Sequence, residues 1–188
     1  MTHEDIKKYA VTFARSRSNL LLVVAFTTIN LFLHLTGSDF FLLFSATLPS
    51  LALGFLDSWG PAGSGVIVAF AAVFLYCLFW ALAKRNRVFI LFALVFFTID
   101  TIVFFYLLFV VIAQFEGMFL VEVAFHLWIM FYLVTGAIAW YKLRDVDAEA
   151  VAAAHKDATA NAASKEADEA IKGLLNEDKK DEDKDNQN

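Results

Sequence analysis

Asp100 is the side chain in this sequence with the most chemistry open to it. It stands in the middle of an apolar run, Val88–Ala113, and a carboxylate at bilayer depth is costly enough to be a functional-site hypothesis by default. No Lys or Arg lies inside any of the apolar runs. The carboxyl must therefore be protonated, solvated, or paired across an oligomer. A lone protonatable acid suits proton or cation coupling. A neutral acid hydrogen-bonded between helices would instead hold those helices together. At a rise of 1.5 Å per residue, Thr27, Thr28, Asp100 and Tyr132 fall within about 3 Å of the midplanes of their runs. Asp100, Tyr132 and Thr28 are thus one candidate polar or proton site, with Tyr132 the best-placed partner for the carboxyl.

A second candidate cluster sits nearer one surface. His34 and His126 both fall about 9–10 Å from the centre on the same arithmetic. Glu122 precedes His126 by four residues and Asn30 precedes His34 by four, so each pair shares a helical face. Two imidazoles and a carboxylate could relay protons or meet a divalent ion; as packing or interfacial residues they would do neither. The spacing assigns no metal, and no cofactor is expected. Phosphate loop, Gly-x-Ser-x-Gly, His-Glu-x-x-His and paired-Cys motifs are all absent from the sequence, which leaves no catalytic residue to name. Cys77 is the only cysteine, so intrachain disulfides and Cys-rich zinc sites are excluded.

The elements that must position these residues are membrane spans. The chain has 188 residues, of which 60% are hydrophobic and 21 are Phe, well beyond an ordinary soluble domain. A helix crossing the hydrocarbon needs about 20 apolar residues. Four stretches meet or approach this, giving expected spans at 19–36, 62–83, 88–113 and 123–141. Lys7, Lys8, Arg15 and Arg17 precede the first span, Lys84, Arg85 and Arg87 separate the second from the third, and Lys142 and Arg144 follow the fourth. With four spans these clusters share one side, which the positive-inside bias makes cytoplasmic. The other side receives Asp39, Asp57, Glu116 and Glu122 and no base. A cleaved signal peptide is not expected, because no small-x-small site closes the first run.

The parts between the spans follow. Residues 1–18 form a cytoplasmic N-terminal segment in which Ile6, Tyr9, Ala10 and Phe13 recur at i, i+3, i+4, i+7. That spacing fits an amphipathic helix on the inner leaflet, or a stub continuous with the first span. Residues 37–61 are extracytoplasmic and hold a fifth apolar run, Phe40–Leu56, broken by Pro49 and Gly54. It is expected to re-enter the membrane or to lie in its outer surface; a re-entrant course implies a pocket or groove. Residues 84–87 and 114–122 are a cytoplasmic and an extracytoplasmic loop. Gly65, Ala69 and Ala72 mark a face where the second span can approach a neighbour, and the Phe-rich third span reads as packing and lipid contact. Thirteen of the twenty acids and six of the fifteen bases lie from Asp145 onward. The tail, 142–188, is therefore acidic and cytoplasmic: an Ala-rich helix ending near Gly173, then disorder over Glu177–Asn188. No basic surface for nucleic acid is present.

Within Arg15–Leu56, the string SRSNLLLVVAFTTINLFL followed by GSD and FSATLP resembles the start of small uncharacterised bacterial four-helix integral membrane proteins. The resemblance implies a bacterial source and carries over no activity and no site. The expected fold class is all-α: a polytopic four-transmembrane-helix bundle with an outer-side re-entrant or interfacial segment and a soluble tail. The expected function is that of a non-enzymatic accessory, structural or regulatory protein of the cell membrane. Its expected partners are the lipid bilayer, a second copy or another membrane protein, and a cytoplasmic partner for the tail. A small proton-coupled transporter or channel-like oligomer using Asp100 is the alternative. An intramembrane enzyme ranks last for want of a nucleophile–base pair.

Overall fold

In a computed structural model the structure describes residues 1–38, 45–61, 63–111 and 118–185. Asp39, the start of the fifth apolar run (40–44), Ala62, Ala113, Glu116 and the last three residues lie outside them, as do the side chains of Asp57, Ile171, Leu174 and Leu175. The described residues form six helices and no strand: α1 His3–Leu35, α2 Thr47–Trp59, α3 Ser64–Arg85, α4 Phe89–Val111, α5 Met118–Leu143 and α6 Ala148–Asp185. Helices α1, α3, α4 and α5 are long and apolar enough to cross a membrane.

The chain divides into two compact units, Met1–Val11 with Asp145–Asn188, and Thr12–Arg144. The first unit opens on a reciprocal cap. The Asp5 amide donates to Thr2 Oγ1 at 3.2 Å, and the Thr2 amide donates to Asp5 Oδ2 at 3.0 Å, satisfying two of the donors that every helix start leaves open. Lys7 Nζ meets Asp157 Oδ2 at 3.0 Å, which ties the first turns of α1 to α6. Helix α6 does not stop near Gly173, and the expected disorder from Glu177 gives way to helix as far as Asp185. One glycine inside a helix costs only about 1 kcal/mol. No proline follows it to end the helix.

In the second unit the buried positions of each long helix fall on one seam. On α1 they include Phe13, Ser16, Leu20, Val23, Thr27 and Leu31, with Asn19 and Asn30 beside them; on α4, Ile90, Ala93, Phe97, Asp100 and Phe104, with Thr101 beside them. Steps of three and four give the stripe by which helices interlock. Asp100 therefore occupies a core position on α4, while Ile67, Phe74, Phe92, Phe109 and Phe131 are more than half exposed on the outward faces of α3, α4 and α5. Such an apolar exterior suits hydrocarbon, not water.

Two local features set the register. Helix α1 ends on Gly37, whose φ of 71° is open to glycine. There the Ser38 amide reaches Leu33 O and the Gly37 amide reaches His34 O, each at 3.0 Å, closing the last turn. Where α1 meets α5, a Cβ on Gly136 would collide with the Ser16 side chain. Glycine is what lets the two backbones come this close.

Helix α1 also joins the expected N-terminal helix and first span into one element, because no Gly or Pro separates Phe13 from Asn19. Helix α5 starts at Met118, so Glu122, expected in a loop, lies one turn inside it.

Candidate functional site

Helix α2 is 13 residues long, about 20 Å, and its start is buried against α1, α4 and α5. A helix begins with four backbone N–H groups that have no partner of their own. At the start of α2 the four positions are Ala46, Thr47, Leu48 and Pro49. The N-cap residue Ala46 has no side-chain oxygen to offer, and it is itself fully buried. The rest of the fold supplies the acceptors. Ala46 N–H donates to Thr27 Oγ1 of α1 at 2.9 Å. Thr47 N–H donates to Asp100 Oδ2 at 3.0 Å, and Leu48 N–H to Asp100 Oδ1 at 2.7 Å. Pro49 has no N–H, so the fourth donor does not exist. Both oxygens of Asp100 are thus taken up by the positive end of a helix, the place where a carboxylate is most favoured.

His126 of α5 completes the arrangement. Its Nε2 lies 3.3 Å from Asp100 Oδ2 and 3.3 Å from Thr47 Oγ1. Its Nδ1 lies 3.0 Å from the carbonyl oxygen of Glu122. A carbonyl can only accept, so Nδ1 carries hydrogen, and Nε2 faces both the carboxyl of Asp100 and the hydroxyl of Thr47. The imidazole is clamped between rings: Phe104 is parallel at 4.2 Å between centroids, and Phe97 stacks at 5.6 Å. Asp100 is 0% exposed and the imidazole 1%. Beside this centre, Asn30 Nδ2 donates to Ser45 Oγ at 2.7 Å, a further tie from α1 to the segment that leads into α2.

The structure redistributes the residues singled out from sequence. Asp100 meets His126, which joins one member of each candidate cluster. Tyr132 is not among the hydrogen-bond partners of Asp100. It lines a separate cavity of about 240 Å³ with Thr12, Arg15, Phe131 and Thr135. Thr28 donates to Val24 O of its own helix at 2.6 Å, and its neighbour Thr27 supplies the acceptor for α2. His34 is exposed, apart from His126. Asn30 is buried, and Glu122 serves His126 through its backbone carbonyl. Among the described residues no group of three or more His, Cys, Asp or Glu side chains could hold a metal ion.

Depths counted from the centre of each run put every span about a common midplane. Packing instead fixes the vertical offset between helices, and it lowers His126 to the level of Asp100. Thr47, Phe97 and Phe104 were not anticipated as site residues. One signal was present: a helix start at Thr47-Leu48-Pro49, inside an apolar run and preceded by Ala46, needs acceptors from elsewhere. Asp100 is the acid best buried to serve.

No protein-family model, curated protein or solved structure matches the chain.

Proposed function

We propose that the chain is a multi-pass cell-membrane protein with both termini cytoplasmic, and that it is a non-enzymatic accessory or structural protein. It would act on a membrane partner through its four-helix bundle and on a cytoplasmic partner through α6. The observation that carries this is the use made of Asp100. Both of its oxygens serve the start of α2, and its remaining partner is a buried imidazole. A carboxyl so engaged locks helices together and, fully buried, is not open to a passage.

The course of the chain supports a re-entrant outer segment within 37–61. Helix α1 ends at Leu35, yet Ala46 is bonded to Thr27, eight residues and about 12 Å back along α1. From there α2 runs to Trp59 and turns into α3. A segment that returns about 12 Å beside a spanning helix must have its backbone satisfied by protein. The contacts of Ala46, Thr47 and Leu48 meet that demand. Cytoplasmic termini rest on the one-sided bases at Lys84–Arg87 and Lys142–Arg144.

A proton-coupled transporter or channel-like oligomer is favoured by one observation, the buried contact of two titratable side chains, Asp100 and His126, at 3.3 Å. Purified protein in liposomes with a pH gradient and an internal pH dye separates the two. The accessory function predicts no proton flux above that of empty liposomes, while deletion after Arg144 removes binding to the partner. Flux that Asp100→Asn abolishes would overturn it. Reporters fused after Asn86 and after Gly117 should be active on the cytoplasmic and outer sides respectively; the reverse would refute the orientation.

A further inference from the structure

Between α2, α3 and α4 lies an open groove of about 700 Å³, a volume typical of small-molecule sites. We propose that this groove binds one acyl chain of an outer-leaflet phospholipid. The assignment rests on the re-entrant course of α2, and four features of the groove lead to it.

Its lining consists only of Leu, Ala, Phe and Val side chains. A polar ligand entering it would lose its hydration and gain no hydrogen bond in return. Its direction is along the helices. On α4 it extends from Phe96 to Leu107, eleven residues or about 16 Å, and on α2 from Leu48 to Leu56, about 12 Å. The hydrocarbon core is about 30 Å thick, so one leaflet contributes about 15 Å. The groove therefore has the length of one leaflet.

On α2 the groove begins at Leu48, which is anchored to Asp100 at the middle of α4, and on α4 it reaches one turn further in, to Phe96, about 6 Å past that level. A transmembrane helix of a partner would need a face running the full thickness. A lipid chain ends near mid-bilayer, within about one turn of the groove's inner end. Its width comes from small residues: Ala52 on α2 and Ala71 and Ala72 on α3 leave room between Phe55, Leu75 and Phe96.

No Lys or Arg occurs between Arg17 and Lys84, so neither α2 nor the outer end of α3 offers a base to a headgroup. The site selects the chain and is indifferent to headgroup charge.

Photolabelling of the full chain tests this. The protein is placed in nanodiscs of dioleoylphosphatidylcholine with a trace of phosphatidylcholine carrying a diazirine, either at the chain terminus or beside the ester. Adducts are mapped by mass spectrometry. The terminal probe should label Leu75 and Phe96 and the ester-proximal probe Phe55 and Val68. Phosphatidylglycerol probes should give the same pattern. Ala72→Trp should cut groove adducts about tenfold, equivalent to about 1.4 kcal/mol, and leave those on the exposed Phe131 unchanged. Ala71→Leu fills the same space more gently and should give a partial loss. Labelling of the groove no greater than that of Phe131, or unaffected by both variants, overturns the site. If the terminal probe still reaches Leu48 in that case, the re-entrant course of α2 stands without it. Labelling of Leu48 by the ester-proximal probe alone would refute the re-entrant course as well.

Discussion

Replacing Asp100 with alanine strips α2 of two of its three external acceptors and leaves His126 Nε2 with the Thr47 hydroxyl alone. The Thr47 and Leu48 amides, now bonded at 3.0 and 2.7 Å, would have no substitute acceptor, and each unsatisfied buried donor costs about 1–3 kcal/mol. Removing one partner of a buried charged pair costs about 3–5 kcal/mol. These are two views of one loss, so they are not added; both centre near 4 kcal/mol. For a chain of this size each kcal/mol lowers the melting temperature by about 2–4 °C, which makes the expected fall about 8–16 °C. Asp100→Asn should cost much less, about 1–2 kcal/mol, because its amide oxygen still accepts from one N–H and its NH₂ donates to Nε2 of a neutral His126. The assay is thermal unfolding of both variants in nanodiscs, with hydrogen exchange followed at Ala46–Trp59. Exchange should accelerate selectively in α2 for the alanine variant. A loss under about 1 kcal/mol, or protection of α2 equal to that of the parent protein, would refute the capping role of Asp100.

Other perturbations probe the same architecture from different sides. Thr27→Val keeps the shape of the side chain but removes the acceptor for Ala46, and should cost about 1–3 kcal/mol. Thr28→Val, one position on, gives up only a bond within its own helix and should stay within about 0.5 kcal/mol; equal effects would contradict the assignment. Gly136→Ala should destabilise by about 1–3 kcal/mol through overpacking against Ser16. The double variant Gly136→Ala with Ser16→Gly should recover much of that loss in the same melting assay, and an additive loss would count against the close approach. His126→Phe should fit between Phe97 and Phe104 yet still destabilise. In a double-mutant cycle with Asp100→Asn it should show a coupling of about 0.5–3 kcal/mol; zero coupling would mean that the 3.3 Å contact carries no energy.

Much of this protein was legible in its sequence, for a definite reason. Apolar length is read against bilayer thickness, a fixed external ruler, so four long helices could be anticipated from composition alone. The division between apolar chain and acidic tail is likewise a matter of counting charges. Asp100 could be singled out because a carboxyl in an apolar run is rare whatever surrounds it. Its partner could not. Helix α4 is apolar on every side, so no periodicity distinguishes the buried stripe through Ile90, Phe97 and Phe104 from exposed Phe92 and Phe109. In water a polar face reveals the core face by contrast; in lipid both faces are apolar and the contrast vanishes. The offset between helices is also silent in sequence, since it depends on which knobs seat in which holes. Equal-depth arithmetic therefore paired Asp100 with Tyr132, whereas packing brought it His126 and the start of α2. Residue types alone require Asp100 to be protonated, solvated or paired across an oligomer, because a bare carboxylate in an apolar run is too costly. Packing makes its partners two backbone amides of a short helix and one imidazole, since helix offset and facing leave no trace in an all-apolar pattern.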